Sequence, residues 1–168
     1  RPSMNQHLWL LCNLDHLGNS RVTFADLNNN GEVTEAEILQ QDHYYPFGMK
    51  IVGDWANPIA PENKYQYNGK ELNGDLGLDW LDYGARWYDA RIARWSAVDP
   101  LAEKYMPYSP YNYVVNNPLK FIDPDGKEVK NGAEEHRKMA ENIYQQIGFK
   151  VNGSYSIYSL IPNEELIE

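Results

Sequence analysis

At 168 residues the chain can bury the core of one ordinary domain, while two full domains would be a tight fit. Its formal charge of -9 leaves it without the clustered Lys and Arg on which phosphate binding runs, so nucleic acid is not an expected partner. With 13 Tyr and 5 Trp against 4 Phe, the aromatic content favours strands whose rings stack across a sheet with their polar edges near water, and a mainly β protein is predicted.

The first element in chain order is a hairpin over Leu8 to Phe24, "LWLLCNL" and "SRVTF" joined through Gly18-Asn19. Cys12 lies in its first strand and is the single cysteine, so there is no internal disulfide and no CxxC motif. The start of the chain lacks the charged region and small-residue cleavage site of a signal peptide, and also an initiator Met, so the chain is expected to be a piece of something longer. No run approaches the length of a membrane span.

The acidic stretch "DLNNNGEVTEAE" follows, from Asp26 to Glu37. Calcium loops of the EF-hand type take oxygen ligands at positions 1, 3, 5, 7, 9 and 12 and need Gly at the sixth for a sharp turn. Here those positions are Asp26, Asn28, Asn30, Glu32 through its carbonyl, Thr34 directly or through water, and Glu37, with Gly31 at the sixth. Only Asp26 and Glu37 bring charge, which predicts weak calcium binding, on the order of 10⁻⁴ to 10⁻³ M. The same residues also read as a polar turn before a short helix over Glu35 to Gln41, opened by Thr34 and closed into a capping box by Glu37. Capping and ligation are compatible, so Glu37 does not separate them. The preceding "SRVTFA" reads as a strand where a helix-loop-helix would have its first helix.

From His43 to Val52 the chain breaks at Pro46 and Gly48, and a Pro-rich loop leads into the strand-like "KYQYNGKEL". Between Leu76 and Pro100, Trp80, Tyr83, Trp87, Tyr88 and Trp95 stand among Gly and Arg without a 3.6-residue period, so twisted hairpins are expected there rather than a helix. After Gly126 the pattern changes. "NGAEEHRKMAENIYQQIG" carries an Asn131 cap, Glu134 at the third position, an apolar face of Met139, Ala140, Ile143 and Ile147, and a Gly148 stop. A hairpin turning at Asn152-Gly153 is expected after it. The division is therefore 1–126, a β-rich body, and 127–168, a helix plus hairpin.

Several motifs together carry a family resemblance. "LDHLGNSR" resembles the Tyr-Asp repeat of Rhs and teneurin-type proteins, and "GARWYD", Arg94-Trp95 with Asp99-Pro100, "YNYVVNNP" and "DPDG", in that order, are similar to the Rhs repeat-associated core domain in the form common in Bacteroidetes. The match covers most of Leu8 to Gly126. The resemblance implies antiparallel hairpins of a YD-repeat shell, here a fragment or end-plug, in a secreted or surface polymorphic toxin whose variable segment follows "DPDG". The implied partners are the rest of the shell or its toxin cargo, and an immunity protein.

The resemblance also implies aspartyl self-cleavage after that boundary, in which two nearby carboxyls share a proton. Asp99 of "SAVDP" is the first position carried over, with Asp123 of "FIDPDG" or Asp75 of "NGDLGL" as its partner. Family members that cleave usually have Leu after the glycine, where this chain has Lys127, and Asp-Pro dipeptides also serve as plain turn formers. A third reading is a cell-surface glycan-binding module built on exposed Tyr and Trp. His7, His16, His43 and His136 are scattered without metal-ligand spacing, and neither GxSxG nor a P-loop is present. Glu134, Glu135 and His136 could form a cluster on the tail helix, though Glu in a first helical turn is ordinarily solvated.

Overall fold

The computed structural model describes residues 10–28, 30–55, 62–146 and 158–161. The chain is mainly β, with short antiparallel strands, five single helical turns and one α-helix among the described residues. One sheet has the order β10-β1-β2-β3, built from β1 (Leu10–Leu14), β2 (Ser20–Phe24), β3 (Ile38–Gln41) and β10 (Tyr158–Ile161). A second runs β4-β5-β6-β7, from β4 (Glu71–Asn73), β5 (Trp80–Asp82), β6 (Trp87–Asp89) and β7 (Arg94–Trp95). A two-stranded ribbon pairs β8 (Phe121–Ile122) with β9 (Lys130–Asn131), and α1 (Gly132–Gln146) follows at once.

The expected first hairpin is present, with Cys12 opposite Thr23 and a bulge where Leu14 meets Ser20. Its turn is held by the Asp15 carboxylate, which accepts the Leu17 and Asn19 amides at 3.0 and 3.2 Å. The helical turn after the acidic loop ends earlier than expected: it is confined to Glu35–Glu37, and the following "ILQQ" is strand β3. Pairing to β2 explains the difference, since register with Val22, Thr23 and Phe24 satisfies backbone groups that a longer helix would have bonded internally. The aromatic segment forms the expected hairpins β5, β6 and β7. Asn131 caps α1 by accepting the Glu134 amide at 3.2 Å. The Gly148 stop and the Asn152-Gly153 turn lie outside the described residues.

The core is a tyrosine cluster. Tyr67, Tyr83, Tyr88, Trp95 and Tyr113 are buried with Leu81 and Val114. Tyr88 stacks on Tyr113 with centroids 4.0 Å apart, and Tyr83 meets Trp95 edge-on at 5.0 Å. Buried hydroxyls need partners. Tyr83 and Tyr113 both donate to the Asn68 side-chain oxygen, at 2.9 and 2.6 Å. Asn68 in turn donates to the Leu17 carbonyl at 3.0 Å, tying the core to the first hairpin. The turn that delivers Tyr113 is strained: Val114, Val115 and Asn116 all have positive φ, a region β-branched residues rarely enter.

Strand β9 pairs with β8, and β10 adds to the edge of β1 with Leu11 opposite Leu160. A Cβ on Gly132 would come within 2.3 Å of the Leu17 side chain, so the helix start lies directly on the first turn.

Candidate functional site

Residues between the strands line a narrow cleft: Arg86 just before β6, Asp99, Tyr105 and Ser109 after β7, and Asp123 and Val129 between β8 and β9. The space between these side chains is on the order of one water molecule. Arg86 immediately precedes β6 and follows the tight Gly84 turn (φ +86), in which the Gly84 amide donates to Asp82 at 2.7 Å. Asp99 follows β7; its amide bonds the Pro110 carbonyl at 3.0 Å and its carboxylate accepts the Leu101 amide at 2.7 Å. Asp123 follows β8 directly.

Arg86 organises the site. One guanidinium nitrogen, Nη2, lies 3.1 Å from Asp99 Oδ2 and 3.1 Å from Asp123 Oδ2. Its Nε donates to the Gly126 carbonyl at 2.6 Å, and the guanidinium carbon sits 4.1 Å from the centre of the Trp95 ring. Its remaining nitrogen, Nη1, is buried with no hydrogen-bond partner among the described residues. A buried donor of this kind is costly unless something polar meets it.

The boundary peptide is held from both ends. The Gly126 carbonyl takes the Arg86 Nε bond, and the Lys127 amide donates to Asp123 Oδ1 at 2.8 Å and to Asp125 Oδ1 at 3.1 Å. Gly126 is buried at φ +73, and a Cβ there would stand 3.1 Å from the Arg86 amide nitrogen, so the close approach requires glycine. Burial pushes the Asp123 carboxyl above the usual aspartate range, against the opposing pull of Arg86.

The structure thus brings Asp99 and Asp123 together, and their Oδ2 atoms share one guanidinium nitrogen. Asp75 is elsewhere, on an exposed helical turn (Asp75–Gly77), outside the residues that line the cleft. Sequence reasoning missed Arg86. The available signal was the arginine of "GARWYD": a buried aromatic environment tolerates a guanidinium only where carboxylates meet it, and two Asp-Pro motifs lay downstream.

The acidic loop has its own order. Asp26 accepts the Asn30 and Gly31 amides at 3.2 and 2.8 Å, Asn28 the Asn30 amide at 3.0 Å, and Asn30 the Glu32 amide at 2.8 Å. Gly31 has φ +80. Glu37 accepts the Leu27 amide at 2.9 Å and both the amide and hydroxyl of Thr34 at 3.0 Å. These bonds, led by the Thr34 amide, hold the Glu37 carboxyl below its ordinary range.

No protein-family model matches the chain. A stretch of 114 residues, 68% of the chain, is 34% identical to Salivary gland surface protein 1 of Aedes aegypti, of which it covers 3%. Another of 92 residues, 53% of the chain, is 37% identical to Toxin subunit YenC2 of Yersinia entomophaga, covering 9% of it. The chain resembles toxin subunits. Among solved structures, a TcdB2-TccC3-Cdc42 complex superposes with a TM-score of 0.56 at 25% identity, over 76% of the chain and 6% of the matched chain. The Photorhabdus luminescens Tc holotoxin pore gives 0.59 over 96% of the chain and 6% of the matched one; at 22% identity it speaks to fold alone. The chain spans less than a tenth of each of these relatives. The similarity to these toxin components supports the Rhs-type resemblance.

Proposed function

We propose that the chain is a closing module of an exported Rhs-type shell and that it cuts its own backbone between Gly126 and Lys127. The supporting observation is the Arg86 clamp, which gathers Asp99, Asp123 and the Gly126 carbonyl around one guanidinium. In the proposed reaction the Asp99 carboxylate takes a proton from a water in the cleft, and the water oxygen bonds to the Gly126 carbonyl carbon. Arg86, already donating to that carbonyl oxygen, stabilises the negative charge that develops there. Asp123 in its neutral form passes its proton to the Lys127 nitrogen as the C–N bond breaks, leaving a Gly126 carboxylic acid and a Lys127 amine, with Asp99 protonated and Asp123 ionised; the new acid then releases its proton to solvent. The raised Asp123 pKa supports the acid role, because the neutral form persists at higher pH than in an ordinary aspartate.

Mass spectrometry of the purified full chain at mildly acidic pH tests this. A fragment beginning at Lys127 is expected, and Asp99→Asn and Asp123→Asn are each expected to abolish it. A wild-type chain that stays intact for days under these conditions overturns self-cleavage and leaves the structural role alone.

We further propose that Asp26, Asn28, Asn30, the Glu32 carbonyl, Thr34 and Glu37 hold one weak structural calcium. The fit is good at the front of the loop, where side-chain oxygens are already turned by backbone amides in the 1-to-5, 1-to-6, 3-to-5 and 5-to-7 pattern. It is less complete at Glu37, whose oxygens must keep or share their bonds to Leu27 and Thr34. The ion would neutralise Asp26 and Glu37 and fix the connection from β2 to β3.

A further inference from the structure

The helical turn that begins just after Asp99 reaches the far side of the boundary peptide. It spans Ala102–Tyr105 and is fastened to Asp99 twice, through the Leu101 amide on the carboxylate and the Ala102 amide on the carbonyl at 3.1 Å. From its other end the Tyr105 hydroxyl accepts the Val129 amide at 3.1 Å, and Lys104 forms an ion pair with Glu128. Tyr105 and Val129 line the same cleft as the two carboxylates. The turn is thus bonded to Asp99 at its start and grips the third residue after Gly126 at its end.

We propose that Tyr105, assisted by Lys104, is a positioning residue that fixes the register of residues 127–129 and so decides which peptide bond meets Asp99 and Asp123. This rests on the self-cleavage reading above. Lys127 and Glu128 are also held by the Asp125 carboxylate, at 3.1 and 3.3 Å, but Asp125 lies before the boundary and would move with it. Tyr105 is the grip from a separate element. The Lys104–Glu128 pair is exposed and acts as a weak second tether. The β9 pairing with β8 fixes the chain from Lys130 onward, so Tyr105 governs the short span 127–129 between that ladder and Gly126, where displacements well under an ångström decide which bond is attacked.

The test uses the full chain with Tyr105→Phe, which keeps the ring and removes the acceptor. The expected result is fragment formation slowed about 3- to 10-fold, the scale of one lost hydrogen bond, with new N-termini at Glu128 besides Lys127. The pH profile should not move, because neither carboxyl is altered. Amide exchange at Val129 should accelerate in an Asp99→Asn background, where no cut intervenes. Lys104→Glu should give a smaller loss of register that Lys104→Glu with Glu128→Lys restores. Cleavage by Tyr105→Phe at the wild-type rate with a single N-terminus overturns the positioning role while leaving self-cleavage standing; a wild-type chain that never cleaves overturns both.

Discussion

The Asn68 side chain takes the Tyr83 and Tyr113 hydroxyl bonds with its oxygen and gives its own amide hydrogens to Leu17 and Asn19 of the first hairpin. It does so at φ +52, where Asn is tolerated far better than most residues. Replacing it by Ala leaves two buried hydroxyls sharing one bond and puts a Cβ-only side chain in a left-handed backbone. We expect Asn68→Ala to cost about 3 kcal/mol in urea unfolding, and Asn68→Gly to recover about 1 kcal/mol of that by relieving the backbone. Equal losses for the two variants would contradict the backbone share. The sequence read "KYQYNGKEL" as strand-like, whereas Tyr67–Gly69 is a tight turn, and it gave no sign of this role because the partners of Asn68 lie far away in the chain. The same limit applies to Arg86: its acids were visible as Asp-Pro motifs, whereas their convergence on one nitrogen required the β5–β6 hairpin and the β8 strand in place.

At the scale of the element, the acidic loop was the most legible part of the chain, since its spacing fixed turn, glycine and cap together. What the sequence did not disclose was where helix gives way to strand. Glu35 to Gln41 has the cap of a helix, and local signals outweigh pairing until β2 is placed beside Ile38–Gln41. With calcium in the proposed range, ~10 mM calcium should raise the melting temperature by a few degrees, since a ligand at about ten times its Kd contributes about 1.4 kcal/mol. Asp26→Asn should remove most of that rise; no calcium-dependent shift in the wild type would exclude the site. The aromatic hairpins were equally legible, because rings without a helical period suit a pleated surface. The left-handed turn at Val114–Asn116 was not, since two valines argue against the conformation they occupy.

For the whole molecule, the decisive relation is between the body and the residues after Gly126. His136 on α1 is buried against the first turn, its ring carbon 3.2 Å from where a Cβ on Gly18 would stand. Burial holds its imidazole pKa down, opposed by Asp15 and reinforced by His16. A histidine with a lowered folded-state pKa binds protons more readily when undocked, so the docked state loses stability as pH falls below the ordinary imidazole value of about 6.5. Hydrogen exchange across Gly132–Gln146 should therefore be faster at pH ~5.5 than at ~7.5, beyond the intrinsic pH effect on exchange. His136→Phe should flatten that difference; an unchanged difference would assign it to other groups. The boundary near Gly126 was readable as a change in pattern. That the later chain returns to the first sheet was not, because strand partners so distant in sequence leave no local mark.

The pairing of β10 with β1 means that a broken peptide bond at Gly126 would not by itself part the two pieces. Four residue pairs, from Leu10 with Ile161 to Asn13 with Tyr158, would still bridge them. Departure of the tail would then be a unimolecular peeling event with its own lifetime, independent of dilution and governed by the edge of a sheet rather than by bond chemistry. Cutting sets when the tail becomes free to leave; the edge strand, together with the β8–β9 pairing and the helix docked on the first turn, sets how long it stays.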